Sequence, residues 1–170
     1  RRLTGKMIQK RQEEFTQTTP VTIREVEKDE SLKLGNATIR FFGVTHTVPD
    51  SMGIIIETPW GDVVFTGDIK LNHDGGVPSE EEVREFGIFK DRKVLALLMD
   101  STNVWQPGFS IPERNVYATL EKIIKESSGR LVIAMFASHL ERLIRVVHFG
   151  ESFGKKIVID GRSMRTNIEI

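Results

Sequence analysis

His46 and Asp68 are the two residues of this 170-residue chain with the clearest chemical use. Each follows a strand-like apolar run, His46 in Thr45-His46-Thr47-Val48-Pro49-Asp50-Ser51 and Asp68 in Phe65-Thr66-Gly67-Asp68-Ile69-Lys70. An imidazole and a carboxylate make the mixed nitrogen and oxygen set that zinc takes, and a carboxylate can bridge two ions where an imidazole cannot. Two divalent ions about 3.5 to 4 Å apart acidify a shared water and stabilise both the attacking and the leaving oxygen of a phosphoryl transfer. Each residue also has a plainer use, His46 as a half-exposed loop histidine and Asp68 as an aspartate capping its own turn. Two zinc ions need about six or seven protein ligands. The chain carries no His-x-His or His-Glu-x-x-His pair, His73 sits in a Gly/Asp loop, and His139 and His148 lie on or near a helix. Either the remaining ligands lie outside this segment or no metal is held.

Three further runs carry usable groups. Asp100-Ser101-Thr102-Asn103 ends an apolar run, so its side chains stand at a sheet edge or cap a turn. Phe136-Ala137-Ser138-His139 opens a helix. There the free backbone N–H groups, the Ser138 hydroxyl and the His139 imidazole can cradle a phosphate, or Ser138 is a simple N-cap. Gly161-Arg162-Ser163-Met164 adds a guanidinium suited to bidentate phosphate contact. Arg142, Arg145 and Arg162 form a local basic surface or are solvated arginines.

The elements that must position these groups follow from periodicity. Residues 3–15 read as a helix with a solvated basic face at Lys6, Lys10 and Arg11. The period then becomes two. Val21, Ile23 and Val26 mark one strand, 32–34 a second and 37–44 a third, with Gly35-Asn36 as the turn between the last two. Residues 52–57 and 62–66 form another hairpin around Thr58-Pro59-Trp60-Gly61, where Gly61 can take positive φ. That hairpin brings His46 and Asp68 near each other.

After Asp68, strand and helix alternate. Ser79 caps an acidic helix near 80–86, and 94–99 has the continuous apolar pattern of a strand buried on both faces. A helix over 110–127 ends at Gly129. A strand at 131–136, a helix at 138–149 and a strand at 156–159 follow, and 166–170 alternates apolar and polar. This order predicts parallel pairing with right-handed crossovers, in a sheet that binds ligands beyond its strand C-termini.

Bulk properties bound the reading. Twenty-four basic and 24 acidic residues cancel, so a polyanion must be held by a local patch. The absence of cysteine excludes a disulfide framework and favours a reducing compartment. No run approaches the roughly 20 apolar residues of a membrane span, and a soluble cytoplasmic protein is the default. The chain opens Arg1-Arg2-Leu3 and stops inside its last alternating stretch. An interior piece of a longer polypeptide is the expectation.

Taken in order, the runs at 45–51, 66–70, 99–103, 106–109, 136–138 and 160–164 resemble ribonuclease J, a β-CASP nuclease of the metallo-β-lactamase superfamily. The resemblance implies an α/β chain in which 1–107 is part of a metallo-β-lactamase αββα sandwich. Residues 108–170 would begin a β-CASP domain with a parallel sheet, and parts of both lobes would be missing. It implies a two-zinc hydrolase of RNA, a 5′-to-3′ exonuclease with endonuclease ability acting in rRNA processing and mRNA decay. It also implies a homo-oligomer, dimer or tetramer, at full length, with no membrane partner.

By position, His46 would ligate one zinc, Asp68 would bridge both, and Asp100 would line the active site as the acidic β-CASP motif. Ser138 and His139 fall where the family holds an RNA phosphate, and Arg162 and Ser163 near the RNA path. The family's His-x-His-x-Asp-His motif is absent from this chain, and His139 stands where relatives often have asparagine. The segment alone is therefore expected neither to bind zinc tightly nor to cleave RNA. The alternatives are another β-CASP nuclease of RNA 3′-end processing, and a non-catalytic RNA-binding scaffold that has lost its metals.

Overall fold

Turn chemistry and period-two patterning build the first half of the protein, whose computed structural model describes residues 1–15, 19 and 21–169. After helix α1 (Arg2–Glu13), strands β1 (Ser31–Leu34) and β2 (Ala37–Gly43) pair antiparallel across Gly35-Asn36. Gly35 has φ +61° there. Strand β3 (Met52–Thr58) pairs with β2, and β4 (Gly61–Phe65) pairs with β3, both antiparallel. The β3–β4 turn closes with the Thr58 hydroxyl donating to the Gly61 carbonyl at 2.5 Å, and Gly61 takes φ +143°. Register sets Glu57 opposite Asp62, a like-charge pairing that is unfavourable by itself. Arg92 resolves it by bonding Glu57 at 3.1 Å and Asp62 at 2.8 Å, while Arg40 holds Glu57 from the other side at 2.6 Å.

A two-residue ribbon, β5 (His73–Asp74) and β6 (Val77–Pro78), precedes helix α2 (Glu80–Phe86) and a 3₁₀ turn at Gly87–Phe89. Ser79 caps α2 as its sequence predicts, its hydroxyl accepting from the Glu82 N–H at 3.3 Å. Strand β7 (Val94–Leu98) then joins β4 in parallel, giving one mixed sheet in the order β1-β2-β3-β4-β7. The core lies under its centre. Phe42, Ile55 and Val64 are fully buried, with Val44, Phe86, Ile88 and Phe89 packed against them. Each such burial contributes about 1.5–3 kcal/mol. Phe89 meets Phe42 edge-on with ring centroids 5.0 Å apart.

The expectation that 94–99 is buried on both faces is corrected. Every residue of β7 is exposed, because the apolar cover from α2 and the 3₁₀ turn lies over the central strands. The strand expected through Val21, Ile23 and Val26 is also absent among the described residues.

The chain divides into two compact units. One holds Arg1–Arg2, Ile23–His46 and Asp50–Ser110, the other Leu3–Thr22, Thr47–Pro49 and Ile111–Ile170. In the second, α3 (Glu113–Glu126) and α4 (Leu140–Ser152) pack together around Ile124, Leu140 and Leu143. Arg142 grips both oxygens of Glu113 at 2.8 and 3.0 Å. Residues 131–136 and 156–159 form no ladder among the described residues, contrary to the predicted strands. A strand exists only through a neighbour's hydrogen bonds, and the apolar runs alone do not supply one.

The stretch read as alternating is a helix, α5 (Arg162–Glu169). Gly161 at φ +96° turns the chain into it, and Met164 and Ile168 fall one helical turn apart. Ile170 lies outside the described residues. The architecture is mixed α/β with one parallel strand pair, and no described helix is long and apolar enough to cross a membrane.

Candidate functional site

Three strand ends converge on the first group of predicted residues. His46 follows β2 by three residues, Asp68 follows β4 by three, and Asp100 follows β7 by two. These three strands run in the same direction in one sheet, with β3 between β2 and β4, so their C-terminal ends lie on one edge, and the structure brings His46 Nε2 to 3.9 Å from Asp68 Oδ2. Gly67 makes this possible. Its φ of +61° swings the chain out of β4 so that Asp68 leaves the ladder toward His46.

Tetrahedral zinc with bonds of about 2.0–2.1 Å would hold two such donors about 3.3 Å apart. The 3.9 Å gap is close to that spacing, and the Asp68 side chain, 84% exposed, has room to close it. The donor chemistry fits, but as part of a set. Among the described residues no three His, Cys, Asp or Glu side chains gather to hold an ion.

Asp100 stands behind this pair. One carboxylate oxygen accepts from the Ile69 N–H at 3.3 Å and the other from the Thr102 N–H at 2.8 Å. Its own N–H donates to the Thr66 hydroxyl at 3.2 Å, and that hydroxyl donates to the Gly67 carbonyl at 2.7 Å. Hydrogen bonds from Thr102, side chain and then backbone, and from Ile69 hold the Asp100 carboxyl below the usual aspartate range, with a small contribution from His46. Thr66 is almost fully buried and escaped the sequence reading. Its only signal was its place in the Thr-Gly-Asp run.

The second group lies in the other unit. Ser138 is exposed, and His139 precedes α4 without capping it through its side chain. The expected free N–H groups are partly used, since His139 N–H donates to the Phe136 carbonyl at 3.0 Å and Leu140 N–H to that of Ser138 at 2.9 Å. Arg162 and Ser163 open α5, both exposed, with the Arg162 guanidinium 4.0 Å from Glu14.

Asn167 was not singled out from the sequence, yet it ties α5 to the Ser138 turn by donating from Nδ2 to the Ala137 carbonyl at 2.9 Å. Of the other basic candidates, Arg142 is bound to Glu113 and Arg145 lies over the Tyr117 ring at 5.5 Å. His73 serves the β5–β6 ribbon, its Nδ1 accepting from the Gly76 N–H at 3.2 Å and its ring meeting Phe109 at 4.8 Å.

Residues 128–170 match the family model described as Ribonuclease J, beta-CASP domain. Across nearly the whole chain the similarity is to ribonuclease J. The chain is 34% identical over 168 residues to Ribonuclease J of Thermus thermophilus, covering 96% of this chain and 29% of that protein. It is 36% identical over 146 residues to Ribonuclease J of Corynebacterium glutamicum, covering 86% and 20%. Ribonuclease J2 of Bacillus subtilis is 27% identical over 169 residues, covering 99% and 30%. The chain is similar to ribonuclease J along most of its length and matches that family's β-CASP model over residues 128–170, and it spans less than a third of the length of these relatives. A solved protein of unknown function from Enterococcus faecalis shares the fold, with a TM-score of 0.58 at 16% identity over 85% of this chain and 39% of that one.

Proposed function

We propose that this chain is the middle portion of a zinc-dependent ribonuclease acting on RNA as a 5′-to-3′ exonuclease with endonuclease ability. In this reading residues 1–107 belong to a metallo-β-lactamase lobe and 108–170 begin the β-CASP lobe. The full-length protein would act in the cytoplasm as a homo-oligomer. One observation carries the reading: His46 and Asp68 approach to 3.9 Å beyond the ends of β2 and β4 at one edge of the sheet, in a chain similar to ribonuclease J along its length.

His46 through Nε2 and Asp68 through its carboxylate would hold zinc together with ligands from outside this chain. Bound zinc supplies charge stabilisation for the attacked phosphodiester and brings the pKa of water toward 7. The rest is done by the chain's own groups. Asp100, with its carboxyl held in the ionised form and both oxygens bonded to backbone N–H groups, has no proton to give at neutral pH. It holds the Asp68 loop in place and adds negative charge beside His46. The Ser138 hydroxyl, the His139 imidazole, the Arg162 guanidinium and the Ser163 hydroxyl are the groups that would orient RNA phosphates, with Arg162 fitted for bidentate contact.

Asp68→Ala in the full-length protein is the test. Loss of the carboxylate is expected to lower RNA hydrolysis by at least about 100-fold and to reduce the zinc content of the purified protein. Near-normal RNA decay by that variant would defeat the mechanism. Unchanged zinc content would remove Asp68 from the metal set.

A further inference from the structure

Asp68 sits on a loop, and a loop residue is placed precisely as a metal ligand when its backbone is held by a supporting shell. Four backbone N–H groups between Thr66 and Asn72 donate to partners outside that loop. The Thr66 N–H donates to the Leu98 carbonyl at 3.0 Å and the Lys70 N–H to the Thr45 carbonyl at 2.7 Å. The Ile69 N–H donates to Asp100 at 3.3 Å. The fourth contact comes from a residue outside the strand ends: the Asn72 N–H donates to the Glu82 carboxylate of α2.

Glu82 is 3% exposed, the most buried charged side chain among the described residues. Its use is unusual for its position. As the third residue of a helix capped by Ser79, its carboxylate would ordinarily reach back to the Ser79 N–H. Here the Ser79 N–H donates instead to the Asn72 carbonyl at 2.9 Å, and the Glu82 carboxylate takes the Asn72 N–H. The start of α2 thus grips both polar backbone groups of Asn72, four residues beyond Asp68. The second Glu82 carboxylate oxygen has no hydrogen-bond partner among the described residues. Burying a carboxylate this deeply is costly, and the contact visible in return is the hold on the Asp68 loop.

We propose that Glu82 is a positioning residue for the metal site. By fixing Asn72 it sets the course of residues 68–72 and keeps the Asp68 carboxylate within reach of His46. This rests on the reading of His46 and Asp68 as zinc ligands.

The test compares Glu82→Asp, Glu82→Gln and Asp68→Asn in the full-length protein. Zinc affinity is read by competition with a chromogenic chelator, backbone order by amide hydrogen exchange over 68–72, and folding by thermal midpoint. Aspartate keeps the charge but is one methylene too short to reach Asn72, whereas glutamine keeps an oxygen at the right length. Glu82→Asp is expected to weaken zinc by about ten-fold and to speed exchange at Asn72, and Glu82→Gln is expected to stay within about two-fold of the unaltered protein. Rescue by glutamine separates positioning from a general need for a buried acid.

The proposal is overturned if Glu82→Asp binds zinc normally, or if glutamine fails as badly as aspartate with the thermal midpoint unchanged. If Glu82→Asp does not fold, the comparison of Glu82→Gln with the unaltered protein decides, and a ten-fold loss of zinc in a folded Glu82→Gln sinks it. Should Asp68→Asn leave zinc affinity unchanged, the metal reading fails and this inference with it. If only the Asp68 variant loses zinc, the inference alone fails.

Discussion

Gly67 decides where Asp68 stands, and it does so through one dihedral angle. At φ +61° a residue with a side chain is strained by about 1–2 kcal/mol, even though the nearest atom to an added Cβ, the Met52 carbonyl oxygen, is 3.9 Å away. Gly67→Ala is therefore expected to destabilise the fold by about 1–2 kcal/mol through conformation and not through a clash. A urea unfolding midpoint that does not move would show that the turn relaxes at no cost. The sequence expectation of positive φ fell on Gly61 alone, and the role of Gly67 came only with the structure. So did the role of Glu82. The Ser79 cap and the glutamates behind it announced the helix, but nothing local says that one of those carboxylates spans ten positions to Asn72.

Elements bounded by turn chemistry were readable, and elements dependent on a distant partner were not. Ser79, Gly35-Asn36 and Gly61 each act on neighbours in sequence, so α2 and the two hairpins fall where expected. The runs at 131–136 and 156–159 have the right composition for strands but no ladder among the described residues. In α5 the alternation of Ile168 with polar neighbours masked the helical period of Met164 and Ile168. The contact of α5 with the Ser138 turn is equally long-range, and it hangs on Asn167. Asn167→Ala removes one hydrogen bond to the Ala137 carbonyl, a loss of about 0.5–1.5 kcal/mol, and should loosen α5 locally. Faster amide exchange within 162–169, with α3 unchanged, is the expected result. Equal exchange in both proteins would show that Asn167 does not hold the helix.

At the scale of the whole molecule, balanced charge hides a set of specific pairs. The Arg40 guanidinium holds the Glu57 carboxyl below its usual range, the Lys28 ammonium does the same for Glu85, and the Thr102 donors do so for Asp100. Each of these groups takes up its proton at a lower pH when folded than when unfolded. The unfolded chain therefore binds more protons through the acid range, and stability rises with pH there. The contribution is complete above the ordinary values of 4.5 for the two glutamates and 3.8 for Asp100, and is lost as pH falls below them. The urea midpoint should drop between about pH 6 and about pH 3.5, and less so in Glu85→Gln. A flat midpoint over that range would mean that the pairs add nothing.

Strand β7 carries a different kind of consequence. Val94-Leu95-Ala96-Leu97-Leu98 is uncharged, apolar and exposed, and among the described residues it has a strand partner on one side only. An edge of this composition is a template for another chain. Its effect is colloidal: the 170-residue polypeptide handled alone should scatter light increasingly with concentration. Leu97→Lys should suppress that scattering, because a charge on such an edge works as a gatekeeper. If both proteins scatter alike, the stickiness originates elsewhere.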